Sequence, residues 1–320
     1  HQDGNSQLLA YPVPNLKAYD PAFAFELAAI IKDGIRRMYV EQEDVFYYIT
    51  VENENYTHPG MPEGAEEGIR KGLYLLQEGG DGPKKVQLMG SGAILREALA
   101  AANILSQDFG VEADVWSATS FTELRRDGVD CARRNRLMPE GEPSLPWITQ
   151  CLSGRQGPVV AASDYVRGFA DQVRGFLPQT DFIVLGTDGY GRSDTREQLR
   201  RFFEVDRYNI AYSALYGLYR QEQISLSELL AAAPDTPDGA AVLLGFDDLA
   251  IEGGGHPGSG TITDALEDET EDRVHQPEWP RQLQRGQHQG QGLDIAFRTR
   301  VAVYFGTDLQ RTAGAREAVA

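Results

Sequence analysis

Two stretches of this chain hold residues whose types and order suit chemistry. The first is Phe182 to Asp206, where an apolar run Phe182–Leu185 ends in a turn carrying Gly186, Gly189 and Gly191. The glycines supply backbone freedom where side chains would clash, and Asp194 with Glu197 three residues on predicts a capping box for the next helix. The second is the polar loop His1-Gln2-Asp3-Gly4-Asn5-Ser6. An imidazole with a pKa of about 6.5 is the side chain best suited to move protons near neutral pH, although on local grounds a loop histidine is simply solvated. A third motif, Gly90-Ser91-Gly92, follows an apolar run and opens a helix, so its amides are placed to cradle an anion. The dinucleotide fingerprint wants another glycine where Leu95 stands, which argues against nucleotide binding. Cys131 and Cys151 have neither a paired cysteine nor a histidine at metal spacing, which predicts no zinc site and a reducing compartment.

The elements that must position these residues follow from periodicity. Phe182–Leu185 is too short and too β-prone for a helix and predicts a buried strand; Leu199, Phe202 and Phe203 then share one helical face. Asp20-Pro21 predicts a helix start, with Phe23, Leu27, Ile30, Ile31, Ile35 and Met38 at helical spacing. Asp44 to Glu52 reads as a mostly buried strand. The prolines and glycines of Asn53 to Gly64 forbid regular structure and make this the best linker. Beyond it, helix (66–76), strand (85–89), helix (93–106), strand (113–118), a helix from Phe121 that stops near Gly128, strand (159–162), helix (165–176) and strand (182–185) alternate. Such alternation predicts an α/β fold of mainly parallel sheets with helices on both faces. Helices are expected over Tyr208–Arg220 and Ser225–Ala233. Residues 234–320, with Gly253-Gly254-Gly255, an acidic run and a Gln-rich segment, carry the composition of a disordered tail. His275 and His288 within it lack the fixed spacing of metal ligands.

With 320 residues, 41% of them hydrophobic, the chain can bury the cores of two domains. Its net charge of −18 argues against nonspecific binding to nucleic acid or anionic membrane. No apolar run approaches the roughly 20 residues of a membrane span, and a cytoplasmic location is the default expectation. The start at His1 rather than Met reads as a fragment or a processed product.

Gly186-Thr187-Asp188-Gly189-Tyr190-Gly191-Arg192-Ser193-Asp194-Thr195-Arg196-Glu197, followed by Phe202-Phe203-Glu204-Val205-Asp206, resembles the signature near the C-terminus of the homodimeric pyruvate dehydrogenases (acetyl-transferring). These are the thiamine-diphosphate-dependent decarboxylating components of the pyruvate dehydrogenase complex, and transketolases carry a looser form of the motif. Asn53-Glu54-Asn55-Tyr56, Met61-Pro62-Glu63-Gly64 and Ser120-Phe121-Thr122-Glu123-Leu124 with Asp127-Gly128 and Asp130-Cys131 extend the resemblance over roughly the first 225 residues. It implies that residues 1–60 are the end of a pyrimidine-binding middle domain, 61–233 a transketolase-like C-terminal domain and 234–320 a low-complexity tail, either added or the product of an altered reading frame. It also implies oxidative decarboxylation of pyruvate, acetyl transfer to a lipoyl-bearing acetyltransferase subunit, a homodimer, and thiamine diphosphate with Mg bound mainly by a part this chain does not contain. The chain alone is therefore expected to be inactive. His1 falls where the family's His-Glu-Asp-Gly-His-Ser loop places the histidine facing the reacting centre, with Gln2 and Asn5 departing from that loop. His58 is displaced by Thr57 from the family's position and gets no role. Gly80-Asp81-Gly82 imitates the start of the family's metal motif but precedes a strand, so it reads as a polar turn. The rival readings are a non-catalytic module supporting a dimer or docking the complex, and a transketolase-like enzyme.

Overall fold

The computed structural model describes residues 3–179, 181–234 and 300–305. One compact unit comprises His1–Pro234 with Ala296–Ala320; a second, Asp235–Ile295, lies outside the described residues.

The chain opens with a single helical turn, Ser6–Leu9 (α1), and a short strand, Leu16–Tyr19 (β1). Ala24–Ile35 (α2) widens at its end into a π-helical stretch, Arg36–Val40, and leads to Phe46–Glu52 (β2), which pairs in parallel with β1, Leu16 opposite Phe46 and Tyr19 opposite Ile49. After the irregular linker come Ala65–Lys71 (α3), Tyr74–Gln77 (β3), Lys85–Gly90 (β4), Leu95–Phe109 (α4), Glu112–Ser117 (β5), Phe121–Leu137 (α5), Trp147–Leu152 (α6), Val159–Ala162 (β6), Arg167–Asp171 (α7) and Phe182–Leu185 (β7). Arg196–Phe202 (α8), Arg207–Arg220 (α9) and Leu226–Ala231 (α10) follow. Five strands form the second sheet in the order β3-β5-β4-β6-β7, all parallel except β3, which runs antiparallel to β5.

Both faces of this sheet are covered, and the two-residue period of the strands divides the core accordingly. Val86, Leu88, Val160 and Ala162 pack with Leu95, Ala98 and Leu105 of α4 and Ile210, Ala214 and Leu218 of α9. Met89, Trp116, Val159 and Ala161 turn the other way, onto Phe121 and Leu124 of α5, Ile148 and Leu152 of α6 and Phe169 of α7. The expected α/β layout is therefore present.

Several local expectations are corrected. The helix after the linker ends at Lys71, where Gly72 adopts φ +102, and the chain re-forms as β3. Tyr74 to Leu76 had the periodicity of either element, and pairing with β5 decided it. α5 does not stop near Gly128: that glycine is buried in mid-helix because Phe176 lies where its Cβ would be. The stretch expected as helix over 165–176 is α7 followed by a 3₁₀ turn at Arg174–Phe176. The cap of α8 is Thr195, whose hydroxyl accepts from Gln198 N, rather than Asp194; Leu199 is buried, whereas Phe202 is 55% exposed under Arg192. Within the expected tail, Arg300–Phe305 (β8) forms a strand antiparallel to β2, Tyr47 opposite Phe305 and Glu52 opposite Arg300. Its sequence, Arg-Val-Ala-Val-Tyr-Phe, is β-prone in a way the surrounding Gly- and Gln-rich composition hides. The rest of 235–320, including His275 and His288, lies outside the described residues.

Candidate functional site

His1 and Gln2 lie outside the described residues, and the loop they begin is built from Asp3 onward. The Asp3 carboxylate accepts from the backbone N–H of Asn5 (3.1 Å) and Ser6 (2.9 Å) and from the Ser6 hydroxyl, closing a tight turn ahead of α1. The Gly4 carbonyl accepts from Val166 N at 2.9 Å. Gln7 is fully buried and its amide donates to Tyr19 O (2.9 Å) and Thr50 Oγ1 (3.0 Å).

Val166 belongs to the segment after β6 that lies between this loop and the signature turn after β7. Thr187 N donates to Tyr165 O (2.8 Å), and Arg167 N donates to the Asp188 carboxylate (2.9 Å). At Gly186 a Cβ would stand 2.5 Å from Tyr165 O, so this close approach requires glycine. The first loop of the chain and the Gly-Thr-Asp-Gly turn, some 180 residues apart, thus grip the same three-residue segment at the C-terminal ends of parallel strands, where ligands bind in α/β sheets.

The Gly90-Ser91-Gly92 turn is occupied by a carboxyl group of the chain itself. Asp20, 2% exposed, accepts from Ser91 Oγ (2.9 Å) and Thr50 Oγ1 (2.7 Å), its backbone carbonyl accepts from Gly92 N (3.1 Å), and its own N–H donates to Thr119 O (2.8 Å). A Cβ at Gly92 would meet the Asp20 carboxylate at 2.7 Å. The strand order reverses about β4 and β6, so this is the sheet's switch point, the place a free ligand would take. Asp20 is therefore no helix cap; α2 begins at Ala24, and Glu26 caps its start by accepting from Ala22 N (2.5 Å) and Phe23 N (3.0 Å).

Two further carboxylates, half-buried Glu54 in the linker and buried Glu97 on α4, share Arg200. Glu54 accepts from Arg96 (2.7 Å) and Arg200 (2.5 Å); Glu97 accepts from Arg200 (3.2 Å) and from the side chain (2.9 Å) and backbone N–H (3.1 Å) of Arg207. Burial alone would raise both carboxyls, but the guanidiniums of Arg200 and Arg96 around Glu54, and of Arg207 and Arg200 around Glu97, outweigh it and hold both below the usual value. His58 accepts from Ala24 N at 3.1 Å and stacks on Tyr56, a structural role. Gly80 N donates to Glu112, consistent with a turn. Burial pushes the Cys151 thiol up to about 11, away from the reactive range. Among the described residues no group of three His, Cys, Asp or Glu side chains is placed to hold a metal ion.

The family described as the pyruvate dehydrogenase E1 component middle domain matches residues 1–59, and the transketolase-like C-terminal domain matches residues 72–206. The pyruvate dehydrogenase E1 component of Pseudomonas aeruginosa is 55% identical over 219 residues, covering 68% of this chain and 25% of the relative. That of Escherichia coli K12 is 54% identical over 227 residues, covering 70% of this chain and 25% of the relative. The chain belongs to the pyruvate dehydrogenase E1 family. It spans about a quarter of the length of the curated relatives it matches. A solved transketolase from Pichia stipitis is 17% identical, with a TM-score of 0.48 over 71% of this chain and 29% of its own. Within the E1 frame, Glu54, near the end of the middle-domain match, pairs with Arg96 of α4 and Arg200 of α8 in the C-terminal match. Sequence reading missed Gln7, Glu26, Glu97 and Arg200. The available signal was polarity on otherwise apolar helical faces, which periodicity treats as a defect rather than as a contact.

Proposed function

We propose that this chain is part of an E1 component that decarboxylates pyruvate oxidatively and passes the acetyl group to the lipoyl group of a partner acetyltransferase, as a cytoplasmic homodimer. Residues 1–60 are then the end of the middle, pyrimidine-binding domain and 61–233 the C-terminal domain. The observation that carries this reading is the bond from Val166 N to Gly4 O, which ties the loop beginning at His1 to the segment braced by the Gly-Thr-Asp-Gly signature. Two stretches that resemble the family for separate reasons serve one place.

Thiamine diphosphate, when bound, supplies the carbanion-stabilising chemistry of such a reaction. The described residues do not fit its diphosphate and Mg: they hold no carboxylate cluster for a metal, and the one anion-shaped turn is filled by Asp20. No step is therefore derived through that group, and the chain's own contribution is the loop. His1 acts as the proton-transferring or substrate-orienting residue, and Asp3, Gly4 and Gln7 hold the backbone that carries it. In the full-length protein, His1→Ala is expected to lower kcat about 10²- to 10⁴-fold, the usual worth of a positioned acid or base, with stability unchanged. Near-wild-type turnover with an unchanged pH profile would remove the assignment.

A further inference from the structure

We propose that the Gly90-Ser91-Gly92 turn is a carboxyl-recognition site, by which the C-terminal match (residues 72–206) takes hold of the middle-domain match (residues 1–59), with Asp20 as its built-in ligand. Asp20 reaches across with its backbone as well as its side chain. Its N–H donates to Thr119 O (2.8 Å), its carbonyl accepts from Gly92 N (3.1 Å), and its carboxyl Oδ2 accepts from Ser91 Oγ (2.9 Å), all three partners lying in the C-terminal match. From its own side, Thr50 Oγ1 donates to Oδ1 at 2.7 Å. Each carboxyl oxygen thus meets one hydroxyl, one from each part, and Thr50, Ser91 and Asp20 are all buried.

The turn is shaped for this group. Gly92 stands at φ +50, and a Cβ there would come within 2.7 Å of Oδ2 and 3.0 Å of Oδ1, so glycine makes the space that the two oxygens occupy. Gly92 also opens the 3₁₀ turn that runs into α4, and the start of such a helical run favours a negative group. The place is the switch point of the five-stranded sheet, where a free ligand would sit against the strand ends. Recognition of a carboxyl also selects the register of β1. A slip of one residue would bring Tyr19 or Pro21 to the turn, and neither carries a carboxyl. Other bonds hold β1 against the C-terminal match without Asp20: Ser120 Oγ donates to Ala18 O (2.6 Å), and Lys17 pairs with Glu123 (2.7 Å). Removal of the Asp20 carboxyl therefore leaves an emptied site in an assembled protein.

The test is rescue of Asp20→Ala by formate, which matches the group removed, in the full-length protein at neutral pH, read by hydrogen exchange. The variant is expected to exchange the amides of residues 20 and 92 about tenfold faster than the wild type, while Leu88 and Met89 inside β4 stay protected. Formate is expected to restore that protection in proportion to 1 + [formate]/Kd, hence about tenfold at roughly ten times Kd. Chloride at the same ionic strength is expected to restore none of it, and the wild type to ignore formate. Asp20→Gly, which removes one carbon more, is expected to prefer acetate to formate. In Asp20→Ala/Ser91→Ala, where the turn has lost its hydroxyl, the rescue is expected to vanish. Wild-type exchange at residues 20 and 92 in Asp20→Ala would overturn the proposal. So would formate acting no better than chloride, or a rescue that survives the loss of the Ser91 hydroxyl. If Asp20→Ala does not fold, Ser91→Ala alone decides: exchange at the two amides faster by about three- to tenfold, the worth of one hydrogen bond, supports the site, and wild-type exchange overturns it.

Discussion

Glu26 shows how one side chain can hold elements together through burial that is unfavourable in itself. It is fully buried and takes four donors: the N–H groups of Ala22 and Phe23 on its own helix start, and the hydroxyls of Tyr74 (2.7 Å) on β3 and Ser117 (2.5 Å) on β5. Burial raises its pKa, and the four hydrogen bonds only partly offset that. A carboxyl raised in the folded state contributes stability that is fully present below its unfolded value of 4.5 and is lost as pH rises through the folded pKa. The Glu26→Gln variant lacks that titration. Its stability deficit relative to wild type is therefore expected to be largest near the acid end and to shrink between about pH 4.5 and 7, read from denaturant midpoints across that range. A deficit that grows with pH would mean that Glu26 is held ionised. Glu26→Ala, which leaves buried donors unpaired, is expected to cost about 1–3 kcal/mol beyond Glu26→Gln, an increment that does not change with pH because neither variant titrates.

Between elements, the Glu54 and Glu97 cluster joins α4, α8 and α9 to a linker with no regular structure of its own. Here the sign is opposite to that of Glu26: both carboxyls are held below 4.5, so their stabilisation is present above that value and is lost as pH falls through the folded pKa. Arg200 is the common partner, with a side chain only 9% exposed. Arg200→Met preserves much of the volume but takes the shared guanidinium from both carboxylates, leaving Glu54 with Arg96 and Glu97 with Arg207, and is expected to destabilise by about 1.5–3 kcal/mol at neutral pH. The loss is expected to diminish as pH falls below about 4.5 and the two carboxylates protonate. Equilibrium denaturation at pH 7 and pH 4 measures both. A loss under about 1 kcal/mol at pH 7 would mark the cluster as solvated decoration of the kind surface pairs provide.

At the scale of the molecule, the small sheet is the exposed part of the design. A two-stranded parallel pair is not independently stable, and in this chain β2 gains its second neighbour from β8, more than 240 residues later. Truncation after Pro234 removes that strand and leaves the five-stranded sheet and its ion cluster intact. The expected result is faster exchange of the 46–52 amides and concentration-dependent association through the opened edge, followed by hydrogen exchange and sedimentation. Unchanged exchange in β2 would show that β8 does not hold the edge in solution.

The sequence by itself determined the large parallel sheet, because buried strands and the helices between them leave strong local patterns: β6, β7 and α9 fall where alternation and apolar spacing put them. It also determined the family, since Gly-Thr-Asp-Gly-Tyr-Gly is an order of residues that a bare turn does not require. What only the tertiary structure decided is which polar groups meet. Asp20 reads locally as a cap and is the carboxylate that fills the Gly90-Ser91-Gly92 turn 70 residues away. Gln7, which the sequence pattern does not single out, is fully buried. Tyr74 to Leu76 reads as the end of a helix and becomes a strand because β5 offers it a partner. In each case the local chain tolerates two states of nearly equal free energy, and a hydrogen-bond partner distant in sequence, invisible to periodicity, selects between them.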